Sequence, residues 1–179
     1  AFKRKHILML GSLKLYKSPL EFIELAKRLP QFIFVLVIND IKENIDIFIK
    51  EYKINISKNL TIYPQQNDVV PFYNQTSLVL NLSNKKQFVE TFGLTALEAM
   101  SAGLPVIVPT EGGIAEMVVD GENGYKIDVQ NLNQIAECIK TILSDETLYM
   151  KLAQNALAYS KRFSEAKMVN CIEMILNRK

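Results

Sequence analysis

The sequence predicts an α/β protein built on a doubly wound, six-stranded parallel sheet, and three observations carry that prediction. Short apolar segments of strand length alternate with helical patterns from one end of the chain to the other. The clearest of them, Phe32 to Ile38, is a continuous β-branched and aromatic run, the pattern of a strand buried on both faces. At 179 residues the chain can build one proper core and is small for two. Strands and helices in strict alternation imply parallel pairing through right-handed crossovers, with helices on both faces.

Each element has a local reason. His6 to Leu10 is a short apolar strand ended by Gly11. Pro19 suits a first helical turn, and Phe22, Leu25, Ala26 and Leu29 follow at i, i+3, i+4, i+7. After the Phe32–Ile38 strand, Ile41, Ile45, Phe48, Ile49 and Tyr52 mark an amphipathic helix. Leu60 to Tyr63 reads as a strand, Asp68 to Asn74 as a short helical turn interrupted by Pro71, and Leu78 to Leu82 as the fourth strand. A helix from Gly93 to Ala102 carries apolar residues on nearly every side and is ended by Gly103. Val106 to Val108 is the fifth strand. Gly112-Gly113 leads into a short helix to about Val119, and Gly124 to Ile127 is the sixth strand. Leu132, Ile135, Ala136, Ile139, Ile142 and Leu143 mark a helix. A further one starts after an Asp145 cap and runs towards Phe163, and a last one spans Glu165 to Leu176 within a terminal segment 164–179.

The common strand order for this pattern is 3-2-1-4-5-6, the Rossmann-like arrangement. It makes strands 1 and 4 neighbours whose helices leave to opposite sides, so a crevice opens at their carboxyl ends. The loops at that crevice are Gly11 to Ser18 and Ser83 to Gly93. Composition narrows the partners. A net charge of +2 argues against nucleic acid, and no apolar run reaches transmembrane length. Cys138 and Cys171 fall at apolar helical positions and read as buried free thiols, which favours a reducing compartment. The chain opens with Ala-Phe-Lys-Arg-Lys, without an initiator Met or a signal-peptide pattern, and reads as a piece of a longer protein.

The crevice loops also carry chemistry. SNKKQFVETFG delivers Glu90, then Phe92 and Gly93, then a helix start whose unpaired N–H groups and dipole suit phosphate or sugar oxygens. Gly93 lets a ligand approach the backbone. Glu98 stands in an apolar helix, and two readings of it are open. A mid-helix glutamate can be a solvated helix former. If it faces the crevice, a diol would match its two oxygens. In GSLKLYKSP, Lys14 and Lys17 can reach a diphosphate, or can be solvated loop lysines. His6, the only histidine, lies in strand 1 and reads as a core or edge residue.

ETFGLTALEAMSAGLPVIVPTEGGIAEMVVDGENGYKI resembles the donor-binding half of the family 4 retaining glycosyltransferases, which have the GT-B fold. The signature is E-x7-E, here Glu90 and Glu98, with F-G-L between them and E-A-M after. P-V-I, G-G and E-x-x-x-D-G-x-N-G follow in the family's order, and HILMLGSLKLYKSPLEFIELAKRL is similar to its strand, glycine and lysine-bearing loop. The resemblance implies that Glu98 holds the ribose hydroxyls of a nucleotide-sugar and that Glu90 hydrogen-bonds the donor sugar beside the anomeric centre. It gives the backbone around Phe92, Gly93, Leu94 and Thr95 to sugar and phosphate oxygens, and Lys17 to the leaving diphosphate, with Gly11, Ser12 and Lys14 beside it. No metal or other cofactor is expected, because basic side chains and a helix terminus take that role.

The sequence departs from the family at three points. Ser12 replaces the usual Arg, Ser18 replaces a Gly, and Asn39-Asp40 replaces a glycine-rich end of strand 2. The resemblance further implies a missing N-terminal acceptor-binding domain as partner, so this chain alone should be inactive and bind nucleotide weakly. Richness in Lys, Asn and Ile points to an AT-rich bacterial genome. The whole enzyme would then be a cytoplasmic hexosyltransferase, at the inner membrane face, building surface polysaccharide. The alternatives are a GT-B phosphorylase or sugar-nucleotide epimerase half, and a non-catalytic interaction domain with a degenerate donor site, which Ser12 motivates. GSLKLYK in place of G-x-G-x-x-G speaks against an NAD-dependent dehydrogenase.

Overall fold

The computed structural model describes residues 1–163. The terminal helix expected over Glu165 to Leu176, and Cys171 with it, lie outside the described residues. Six strands form one parallel sheet: β1 (His6–Gly11), β2 (Ile33–Ile38), β3 (Leu60–Tyr63), β4 (Leu78–Leu80), β5 (Val106–Val108) and β6 (Gly124–Lys126). Their order is β3-β2-β1-β4-β5-β6, as the alternation predicts. The helices are α1 (Pro19–Arg28), α2 (Lys42–Glu51), α3 (Val70–Gln75), α4 (Leu94–Ser101), α5 (Gly113–Glu116), α6 (Leu132–Ser144) and α7 (Glu146–Ser160).

Side-chain alternation along the strands splits the core into two layers. Ile7, Met9, Phe34, Leu36, Leu78, Leu80 and Ile107 point to one face, where Phe22 and Leu25 of α1, Ile45 of α2 and Ile135 and Ile139 of α6 cover them. Leu8, Val37, Val79, Val106 and Val108 point to the other, against Tyr73 of α3, Ala96, Ala99 and Met100 of α4 and Ile114 of α5. α7 serves both layers: Leu152 joins the first and Ala156 the second. Asp145 caps α7, its carboxylate accepting from Leu148 N–H at 3.0 Å.

Three expectations are corrected. Pro71 does not interrupt the third helix but stands in its first turn, where its missing N–H costs nothing. The fourth strand ends at Leu80 and the short fifth helix at Glu116, both sooner than the apolar runs suggest. In α4 only Ala96, Ala99 and Met100 are buried, while Leu94 is 63% exposed and Glu98 is exposed. A helix of this length turns one stripe to the sheet, and the apolar residues off that stripe stay on the surface.

Candidate functional site

At the carboxyl ends of β1 and β4 the two crevice loops enclose a hollow of about 320 Å³, lined among others by Gly11, Lys17, Ser83, Glu90, Gly93 and Thr95. Lys17 sits at the end of a 3-10 turn, Leu15–Lys17, that leads off β1. Its ammonium forms an ion pair with Glu90 Oε2, and both side chains are largely shielded, at 22% and 14% exposed. Ser83, itself buried, sits between them: its Oγ accepts from Lys17 Nζ at 3.4 Å and donates to Glu90 Oε2 at 3.3 Å. Phe92 and Leu94 line the hollow as well, with outward-facing surface left over.

The segment bearing Glu90 is seated on the β5–α5 turn. A Cβ on Gly112 would lie 2.3 Å from the Glu90 carbonyl oxygen, and one on Gly113 would lie 1.8 Å from that of Thr91. Gly93, at φ +73°, caps α4 and abuts the Ile114 side chain. Lys85 ties the same loop down by bonding Glu111 at 2.5 Å and Asp128 at 3.5 Å. Leu94 and Thr95, the first two residues of α4, line this hollow, and N–H groups at the start of a helix lack intrahelical partners.

Two further hollows adjoin the first. One of about 340 Å³ shares Leu10, Gly11, Lys17 and Thr95 with it and adds Ser12, Asn39, Gln65 and Gln66. Asn39 thus takes a place in the crevice wall, its N–H donating to the Gly11 carbonyl at 2.7 Å. The other, about 470 Å³, runs between α3 and α4 and holds Glu98 with Val69, Tyr73 and Leu94.

Glu98 therefore does not share one hollow with Lys17 and Glu90. It stands in the neighbouring one, joined to the first through Leu94 and to the second through Val69. Its carboxylate is held: the Tyr73 hydroxyl donates to Oε2 at 2.7 Å. Burial first, then that hydrogen bond, push the Tyr73 phenol far above its ordinary range, so it stays a donor at any physiological pH. Lys14 is exposed and lines none of the three hollows. Sequence reasoning missed Ser83 and Tyr73. Ser83 follows β4 at the position where a crevice residue is expected, which was a usable signal; Tyr73 comes from another helix and had none.

His6 lies at the amino end of β1, away from the crevice, and burial, then Arg4, lower its pKa. Cys138 is a half-buried free thiol whose pKa burial, then Asp120, push up to about 12. Among the described residues no group of three or more His, Cys, Asp or Glu is placed to hold a metal ion. Among the same residues no helix is long and apolar enough to cross a membrane.

A Rossmann-like parallel sheet of this order, with a crevice at its switch point, is the architecture of one GT-B half, and solved structures bear out that fold. The chain superposes on HepE of Anabaena, crystallised with UDP, at TM-score 0.83 and 22% identity, over 98% of this chain and 49% of that one. It matches the C-terminal domain of the group 1 glycosyl transferase LpcC from Francisella tularensis at TM-score 0.72 and 27% identity, over 88% and 85% of the two chains. Residues 2–159 match the family model of glycosyl transferases group 1, and the chain belongs to that family. Among curated relatives, the N-acetyl-alpha-D-glucosaminyl L-malate synthase of Bacillus anthracis is 30% identical over 142 residues, which is 79% of this chain and 36% of that protein. The chain spans 10–36% of the length of the first relatives it matches.

Proposed function

We propose that this chain is the donor-binding half of a retaining glycosyltransferase, which moves a sugar from a nucleoside diphosphate to an acceptor hydroxyl in bacterial surface polysaccharide synthesis. The observation that carries the reading is the Lys17–Glu90 pair, bridged by Ser83, at the carboxyl ends of β1 and β4 and beneath the start of α4. A diphosphate entering there meets a cation and unpaired helix N–H groups, the two features that stabilise charge on a leaving group. Lys17 then turns from Glu90 to the diphosphate, and Glu90 is released to accept from donor-sugar hydroxyls. Glu98, with one oxygen held by Tyr73, offers the other to the ribose diol in the hollow next door. Gly93, Leu94 and Thr95 contribute backbone to the sugar and phosphate oxygens. Acceptor recognition belongs to an N-terminal domain that closes the cleft from the other side.

HepE was crystallised with UDP-glucose as well as UDP, so UDP is the first ligand to try. The test is titration of the ¹⁵N-labelled chain with UDP, GDP and ADP. Amide shifts should concentrate in residues 11–18 and 90–98, and Lys17→Met should weaken binding about tenfold, as loss of a charge-assisted contact of roughly 1.5 kcal/mol implies. Silence of both segments at millimolar nucleotide overturns the reading. Retention is tested separately, by the anomeric configuration of the product made by the two-domain protein.

One observation favours a second reading, a domain that kept the fold and lost the donor site: Ser12, and not an arginine, lines the hollow beside Lys17. Ser12→Arg separates the two. A weakened clamp gains nucleotide affinity from it, and a domain without a donor site does not respond.

A further inference from the structure

The β4–α4 loop carries both Ser83 and Glu90, and the stretch between them is not idle. Asn84 to Phe88 closes into a turn, with Gln87 and Phe88 N–H groups both donating to the Asn84 carbonyl at 2.9 Å. The turn presents the Phe88 ring, which stacks on Tyr16 with centroids 4.8 Å apart and planes 26° from parallel. The Asn84 N–H donates to the Tyr16 carbonyl at 2.7 Å, so backbone and rings tie the two crevice loops together. Tyr16 immediately precedes Lys17, and the Lys17 ammonium stands 4.6 Å from the centre of the Phe88 ring. The Tyr16 ring is more distant, at 5.9 Å.

We propose that Phe88 is a positioning residue for Lys17: its ring face holds the ammonium at the floor of the crevice, ready for an anionic ligand. This inference rests on the donor-site reading. A ring face attracts a cation through its quadrupole and takes none of its N–H donors. Glu90 and Ser83 are different, because each occupies a donor of Lys17 that an incoming diphosphate needs. When the diphosphate displaces Glu90, the ring remains, and the long lysine side chain stays aimed instead of swinging to solvent. That matters more here than it would beside an arginine, since position 12 is Ser and Lys14 faces solvent. Stacking on Tyr16 fixes the ring itself, so Phe88 is placed by the same residue pair it serves.

The test uses the full chain with ¹³C-labelled lysine. In the wild type the Lys17 ε-methylene, assigned by its absence in Lys17→Arg, should show an upfield ring-current shift. The shift should vanish in Phe88→Leu and survive in Phe88→Tyr. UDP affinity should fall about fivefold in Phe88→Leu, the equivalent of about 1 kcal/mol at 1.4 kcal/mol per tenfold, and be restored in Phe88→Tyr. In a Lys17→Met background Phe88→Leu should cost nothing further. A role confined to packing would weaken binding equally in both backgrounds, and that result overturns the proposal. So does an unshifted Lys17 methylene in the wild type. A wild type that shows the ring-current shift and yet binds no UDP counts against the donor reading, while the placement of Lys17 stands.

Discussion

Gly113→Ala tests whether the crevice is gripped by backbone contact. The added Cβ would lie 1.8 Å from the Thr91 carbonyl oxygen and 2.9 Å from its carbonyl carbon. Real Cβ contacts stop near 3 Å, so the two backbones must part by roughly 1 Å. Neither partner is the end of a flexible side chain that could swing aside. Overpacking of this kind costs about 1–3 kcal/mol, and rigid backbone on both sides places Gly113→Ala near the upper figure. The displaced residue, Thr91, lies between Glu90 and Phe92, and misplacement of about 1 Å in a catalytic constellation is worth roughly 10²-fold in rate. The assay is urea unfolding, read as a shift in midpoint at constant m-value, together with UDP titration. Gly121→Ala is the control. Gly121 has φ +72°, but a methyl group added there would have its nearest neighbour, the Tyr125 hydroxyl, at 3.9 Å, so strain alone remains, about 1 kcal/mol. Gly113 is not among the positive-φ residues, so its loss reports the contact alone. If Gly113→Ala costs no more than Gly121→Ala and leaves nucleotide binding intact, the reasoning is refuted.

Tyr73→Phe removes the donor held by Glu98; because that carboxylate is exposed, stability should change by less than about 1 kcal/mol, while UDP affinity drops several-fold in titration. Equal affinity would show that Glu98 needs no orienting partner. Ser18→Gly should raise the urea midpoint by the equivalent of about 1 kcal/mol, since Ser18 has φ +59° and a buried hydroxyl without a partner among the described residues; a lower midpoint would count against strain there. Stability should fall in alkali. Burial raises the Cys138 thiol from 9.0 to about 12 and the Tyr149 phenol from 10.0 to about 12. The unfolded chain therefore releases these protons first, so the stability is intact below pH 9 and lost as pH climbs towards 12. Urea midpoints measured from pH 8 to 11 should show this slope, and Cys138→Ala should flatten its onset.

The sheet was legible because its signal is strong and local. A strand buried on both faces must be apolar throughout, as Ile33–Ile38 is, and the turn residues between strands leave little freedom in connection. The strand order is the common one for such an alternation, and the crevice follows from strand order. Lys17 and Glu90 were legible for the same reason: each lies in a loop that the topology must deliver to the switch point. Glu98 was half legible. Its helix reads as apolar on nearly every side, and that composition hides which side meets the sheet. With Ala96, Ala99 and Met100 buried, the neighbouring stripe of Leu97 and Glu98 turns towards α3. Tyr73, which holds Glu98, is 25 positions distant, and no periodicity announces a pairing of that kind.

What remained hidden in the sequence has a common physical character. The two crevice loops are neither strand nor helix, so no repeating pattern encodes their shape. They are held by isolated contacts of several different kinds: a ring on a ring between Tyr16 and Phe88, an ammonium between two carboxylates at Lys85, and carbonyls pressed onto Gly112 and Gly113. Each contact is modest alone. Together they brace Glu90 from both sides, with Lys17 and Ser83 in front and the β5–α5 turn behind it. A carboxylate so braced needs little reorganisation when a ligand takes its lysine, and preorganisation of that kind is where binding sites on loops gain their precision. It follows that substitutions in these loops should affect ligand affinity more than stability, and that substitutions in the two core layers should do the reverse.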